Sequence, residues 1–414
     1  MTRNGRVNGG RRRAVVTGIG LVNPLGIGRD RFWRSLLAGN SAIAPITRFD
    51  ATGLPVQLAA EVRDFTSSEH VPRRLIAKSD RFAHYAIGAA QLALADAELS
   101  IEDLDPFRVG ISFGNNSGGW DICQRGFEEY YQQDPTLVNP WQATAWFPTA
   151  PQGFVSIRFG IRGFSKSFAC DRASGACGLF FALRSITWDH NDVVLAGGTE
   201  APVNRLGVAS HVTTGELSTC PDPEMAYLPF DRDRSGLVLG EGSSVLVVEE
   251  LEHARRRRAR IYAEITAVEQ RTGQPDDPAG LEDAARAALA GAGLVPEQIG
   301  LILAEGCGTV EGDRTEAAAL RRVFGDECPP VAVPKAAYGH LYGASFGAEL
   351  AVAALAMEDH VLPPTVGTRE VAPDCAVPLT TEAAPAYLEH AAVFSTSREG
   401  TSVCMLLSRS PSGG

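Results

Sequence analysis

The run Phe168-Ala169-Cys170-Asp171-Arg172-Ala173-Ser174-Gly175-Ala176 has the shape of a strand turning into a helix, the setting in which many acyl-transfer enzymes hold a reactive cysteine. Arg172 stands where that nucleophile would be. A guanidinium stays protonated at physiological pH and cannot attack a carbonyl, so covalent acyl capture at this position is excluded. Cys170 and Cys177 flank it as candidates for a relocated nucleophile. Two residues back along a strand keeps the same face but moves away from the helix N-terminus that would lower a thiol pKa, so both are read as buried structural cysteines.

Short apolar runs punctuated by glycine supply the frame: Ala14 to Gly18, Val109 to Gly114, Val193 to Gly197 and Leu301 to Ala304. They mostly do not alternate, as befits strands covered on both faces. Helical periodicity spans roughly Arg74 to Glu98 and Leu281 to Ala292, and Ser243 to Glu249 reads as a further strand after the Gly240-Glu241-Gly242 turn. Strand and helix alternation predicts an α/β fold with a largely parallel sheet. Phe168 to Ile186 has a counterpart in Val331 to Met357, which predicts two related halves, residues 1–257 and 258–414. The segment Gln274 to Pro278 is a loop inside the second half.

With 414 residues, 44% hydrophobic and 21% charged, the chain is long enough for a large core in two packed halves. Met1 to Arg13 is polar and basic, and no later stretch approaches a membrane span, so a cytoplasmic location is expected. The eight cysteines form no CxxC pair, which disfavours zinc or a disulfide framework. A net charge of −11 argues against nucleic acid as the main partner. Arg255 to Arg258 reads as a solvated helix end.

Several segments together resemble the β-ketoacyl synthases of the thiolase superfamily, over nearly the whole chain. They are Arg12 to Gly20 with Asn23-Pro24-Leu25-Gly26, Phe32-Trp33, Leu36 to Gly39, Ala196 to Glu200, Pro229 to Gly236 and Leu239 to Gly242. The resemblance implies a thiolase fold, two pseudo-repeated α/β halves in a five-layered αβαβα arrangement. The family uses a Cys nucleophile and two His residues that stabilise the thioester oxyanion and the enolate. By register with its motifs, Arg172 takes the Cys position, and Glu305 in Glu305-Gly306-Cys307-Gly308-Thr309 takes the first His. Lys335 and Gly339-His340 survive, with Asp313, Glu316 and Glu349 at matching acidic positions. Where active members carry a Gly-Phe-Gly-Gly turn gating the pocket, this chain reads Ser395-Thr396-Ser397-Arg398-Glu399-Gly400-Thr401.

That pattern resembles the chain length factor branch, whose members lack the nucleophile and pair with an active ketosynthase in type II polyketide synthases. It implies a heterodimer with a catalytic ketosynthase, an acyl carrier protein bringing the growing chain, and neither cofactor nor metal. Arg172 and Glu305 carry opposite charges at positions the fold brings together, so an ion pair between them is expected, with Asp171 competing. Lys335 and His340 are read as satisfied interior residues of the same vestigial pocket.

The family likeness also places a length-limiting tunnel wall in the segment after Asn115-Asn116. Trp120, Cys123 and Phe127 fall on one helical face, which could equally be a plain core stripe. Gln142 and Trp146 come from a segment expected to approach across the interface. Ser117 is small and opens space, whereas Trp120 and Phe127 close it. The strand Ser165 to Ala169 is expected at a large apolar dimer seam. Two other readings differ in class: a self-sufficient synthase or malonyl-carrier-protein decarboxylase using His340, and a homodimeric acyl-binding protein. Retained His340 and the unusual Arg172 point to a reduced polyene product over an aromatic one.

Overall fold

The computed structural model describes residues 12–409, so most of the basic N-terminal stretch read above lies outside the described residues. In chain order the first half supplies β1 (Ala14–Asn23), α1 (Arg81–Asp96), β2 (Val109–Gly114), α2 (Trp120–Gln132), β3 (Ser165–Phe168), α3 (Ser174–Thr187), β4 (Val193–Glu200), α4 (Arg205–Val212) and β5 (Gly242–Glu250). The second half supplies β6 (Ala263–Thr272), α5 (Ala279–Ala292), β7 (Leu301–Leu303), α6 (Val310–Phe324), β8 (Val331–Ala332), α7 (Ser345–Asp359), β9 (His390–Thr396) and β10 (Thr401–Ser408).

The strands run β8-β7-β9-β10-β6-β1-β5-β4-β2-β3. Each half therefore repeats one order, third-second-fourth-fifth-first, and the halves join where β1 meets β6 antiparallel, Ala14 opposite Ile265. Helices α3 and α7 share a core with strands of both halves. The outer face of the first half is covered by α1, that of the second by α5 and α6. This is the αβαβα layering, and it explains the non-alternating strands, which bury both faces. The predicted duplication is visible as β3 leading to α3 and β8 leading to α7.

Two expectations need correction. The sheet is mixed: only β3-β2-β4 and β8-β7-β9 are parallel. From β9 to β10 the chain makes a hairpin at Ser397 to Gly400, with no crossover helix, and a hairpin forces antiparallel pairing. The helix read from Arg74 to Glu98 is broken into a short turn, Arg73–Ile76, and α1. Asp80 interrupts it, because its buried carboxylate accepts the Ile122 N–H at 2.7 Å instead of remaining on a helix face.

Gly18 and Gly20 lie inside β1, not at its end. A Cβ on Gly20 would sit 1.9 Å from the Ala89 carbonyl of α1, so the helix lies directly on the strand backbone. The basic run ends a short helix, Leu251–Arg256; Arg257 turns in to the buried Glu249 at 2.8 Å while Arg255, Arg256 and Arg258 are exposed. No helix among the described residues is long and apolar enough to cross a membrane.

Candidate functional site

The turn between β3 and α3 is held tightly. Asp171 adopts a left-handed conformation, φ 51°, rare for a residue with a side chain. Ser174 Oγ accepts the Cys170 N–H at 2.9 Å and donates to the Asp171 carbonyl at 2.6 Å, which locks the reversal. Arg172 follows, only 5% exposed, one residue short of the helix. A cation there opposes the helix dipole by ~0.3–1 kcal/mol and needs a counter-charge.

Glu216 supplies it. Arg172 Nη1 reaches Glu216 Oε1 at 2.7 Å, while Arg172 Nε lies 3.8 Å from Glu305 and 3.9 Å from Asp171. The expected Arg172–Glu305 contact thus exists, but as a secondary one. Glu216 lies in the long excursion between β4 and β5, where no motif or periodicity marks it. The one signal available beforehand was the general need of a buried guanidinium for a carboxylate. Burial works against the Arg172 charge, yet the acidic groups around it, Glu216 and Glu305 among them, outweigh that effect and raise its pKa.

Glu305 is engaged more strongly on its other side. His340 Nε2–H donates to Glu305 Oε1 at 2.6 Å, and His340 Nδ1 accepts the Tyr342 N–H at 3.0 Å. A backbone donor on Nδ1 fixes the neutral tautomer, so both ring nitrogens are satisfied. Lys335 Nζ sits 2.6 Å from Glu349, 3.6 Å from Glu305 Oε2 and 2.7 Å from the Glu305 carbonyl. Burial alone would raise the Glu305 carboxyl, but Lys335, His340 and Arg172 hold it well below the usual range. Glu316 accepts the Glu305 and Gly306 N–H groups and Asp313 accepts those of Phe230 and Gly308, so these acids brace the loops.

The hairpin after β9 closes the mouth. The Arg398 N–H donates to Asp171 Oδ2 at 3.0 Å, and its guanidinium lies 3.4 Å from Asp171 and 3.3 Å from Glu216. Outside is a polar cavity of about 450 Å³, lined in part by Arg172, Glu216, Thr309 and Arg398. Beyond the two guanidiniums His340 and Lys335 are completely buried. Cys177 is buried as expected, whereas Cys170 is only partly so.

The predicted wall residues separate into two groups. Cys123, Phe127, Gln142 and Trp146 line an apolar cavity of about 440 Å³ together with Gly126, Tyr130, Tyr131 and Val138. Ser117 and Trp120 do not line it; they sit at the start of α2, Trp120 Nε1–H donating to Ser117 Oγ at 2.8 Å. A plain core stripe is ruled out, since Phe127 is 51% exposed and α2 buries Ile122 and Gly126 instead. Gln142 turns onto its own chain, Nε2 donating to the Ile122 carbonyl at 2.6 Å, a path that Gly126 leaves open. His211 and Tyr342, which the sequence did not single out, link the two regions. Ring centroids run His340–Tyr342 at 5.0 Å, Tyr342–His211 at 5.0 Å and His211–Trp120 at 5.8 Å.

Comparison with known proteins decides the family. The β-ketoacyl synthase N-terminal domain matches residues 11–254, and the C-terminal domain matches residues 262–369. The chain belongs to the β-ketoacyl synthase family. It is 39% identical to the granaticin polyketide β-ketoacyl synthase 2 of Streptomyces violaceoruber, over 94% of both chains. It is 38% identical to the tetracenomycin polyketide synthase ketoacyl synthase beta subunit of Streptomyces glaucescens, over 88% of this chain and 90% of that one. Among solved structures, the ishigamide ketosynthase/chain length factor superposes with a TM-score of 0.89 at 31% identity, covering 97% of this chain and all of that one.

The Nε2–H of His340 is given to Glu305 and so is not available to a further acceptor.

Proposed function

We propose that this chain is a chain length factor: a non-catalytic subunit that pairs with a catalytic ketosynthase and sets polyketide length by shaping their shared tunnel. The observation that carries the reading is the largely buried cluster of Arg172, Glu216, Glu305 and His340, which fills the pocket with groups paired to one another within the β-ketoacyl synthase fold. The growing chain arrives on an acyl carrier protein, and the chain uses no cofactor or metal of its own. The relative named as a ketoacyl synthase beta subunit, and the ketosynthase/chain length factor structure, support the same partner.

Surface chemistry supports a large interface. β3 is the edge strand of the sheet, and its last residue, Phe168, stacks on Phe181 at 4.7 Å. Phe127, Tyr130, Tyr131, Trp146 and Phe147 are between 40% and 77% exposed, more aromatic surface than a free monomer usually shows. The two units are residues 1–257 and 258–414, and a cytoplasmic setting, which cell fractionation checks, is part of the proposal.

The test is co-expression with a ketosynthase and mass analysis of carrier-bound chains, which reads both length and degree of reduction. Phe127→Ala enlarges the apolar cavity, and Trp120→Ala removes the indole at the start of α2, outside that cavity. Each is expected to shift the product by one or more extension units. Unchanged length in both variants would remove these residues from the gate.

A further inference from the structure

Glu200, the last residue of β4, is completely buried, and among the described residues no lysine or arginine is paired with it. A carboxylate so placed costs several kcal/mol unless donors surround it. The donors come from two separate loops. The Asn116 N–H donates to Glu200 Oε1 and the Ser117 hydroxyl donates to Oε2 at 3.0 Å, while the Gly343 N–H reaches it from the turn after Tyr342. Because the Ser117 hydroxyl gives its proton to Glu200, its lone pairs are free to accept, and the indole N–H of Trp120 occupies one. The opposite support of Trp120 is His211, which rests on Tyr342, one residue before Gly343.

We infer that Glu200 is the positioning residue of the length gate. Through Ser117 Oγ it fixes the orientation of Trp120, and through Gly343 it fixes the Tyr342–His211 wall against which the indole lies. The inference rests on the gate reading above and deepens it: the wall is set by a directed chain, Trp120 to Ser117 to Glu200, and not by indole bulk alone. Glu200 touches no substrate in this scheme and acts only through Trp120.

The experiment uses the co-expressed heterodimer and three variants, Ser117→Ala, Trp120→Phe and their combination. Trp120→Phe keeps an aromatic ring but lacks the N–H, and Ser117→Ala lacks the link. Each single change is expected to raise the off-length product fraction by about three- to ten-fold, the range open to one lost hydrogen bond. The double variant is expected to match the singles because both cut the same chain, and Ser117→Thr is expected to restore the parental distribution. Heterodimer yield and thermal midpoint, read in parallel, should stay near the parent, which a merely structural role would not allow. Glu200→Gln is expected to reproduce the broadening if it folds; the serine and tryptophan variants decide the matter in any case. If Trp120→Ala lengthens the product while Ser117→Ala and Trp120→Phe change nothing, or act additively, the positioning role is overturned and the gate stands. If Trp120→Ala and Phe127→Ala are both silent, the gate itself fails and the inference with it.

Discussion

Replacing Lys335 by Met is expected to lower stability by about 3–5 kcal/mol. The ammonium is completely buried, 2.6 Å from Glu349 and 3.6 Å from Glu305, and donates to the Glu305 carbonyl at 2.7 Å. Met fills a similar volume, so little of the loss comes from a cavity; it comes from carboxylates left in a dry interior without a cation. A second change tests that cause. Adding Glu349→Gln to Lys335→Met should recover part of the loss, so the double variant is less destabilised than the sum of the singles. Denaturant unfolding of the four proteins reads the coupling. Strict additivity, or a loss under about 1 kcal/mol for Lys335→Met, would show that the ammonium is not what neutralises this interior.

Restoring the nucleophile alone is expected to fail. In Arg172→Cys a thiol would sit near Asp171, Glu216 and Glu305 with its guanidinium gone, a negative field that opposes thiolate formation. His340 would still give its N–H to Glu305, and Arg398 would still span Asp171 and Glu216 at the mouth. Intact-mass analysis after incubation with an acyl carrier protein should show no thioester, and the parent chain alone should release no carbon dioxide from malonyl carrier protein. Adding Glu305→His and Arg398→Phe frees the oxyanion donor and removes the second guanidinium, and capture is expected to return. Near-complete acylation of Arg172→Cys by itself would show that one residue had closed the pocket. Carbon dioxide release by the parent would support the decarboxylase alternative over a scaffold.

Much of this could be read from residue order. Strands buried on both faces announce themselves as unbroken apolar runs, and the repeated strand-to-helix segment foretold the duplicated topology. Arg172 and Glu305 were legible as charged residues expected in one pocket, because each falls inside a motif of known spacing, and the structure brings them within 3.8 Å. Strand direction was not legible, since an apolar run looks the same whether its neighbour is parallel or antiparallel. The break at Asp80 was hidden too, because a helix-compatible pattern continues through it while its carboxylate serves Ile122 in another element.

The sequence by itself determined the fold class and the identity of the charges enclosed in the pocket. Both depend on residue type and local spacing, which do not change when the chain folds. Only the tertiary structure decided who pairs with whom: Glu216 as the counter-ion of Arg172, His340 spent on Glu305, Gln142 donating to the Ile122 carbonyl of α2, and Glu200 accepting from Asn116 and Ser117. Those choices turn on which of several carboxylates and donors come within about 3 Å of one another. Distances of that kind are set by how layers pack across dozens of residues and leave no trace in local pattern.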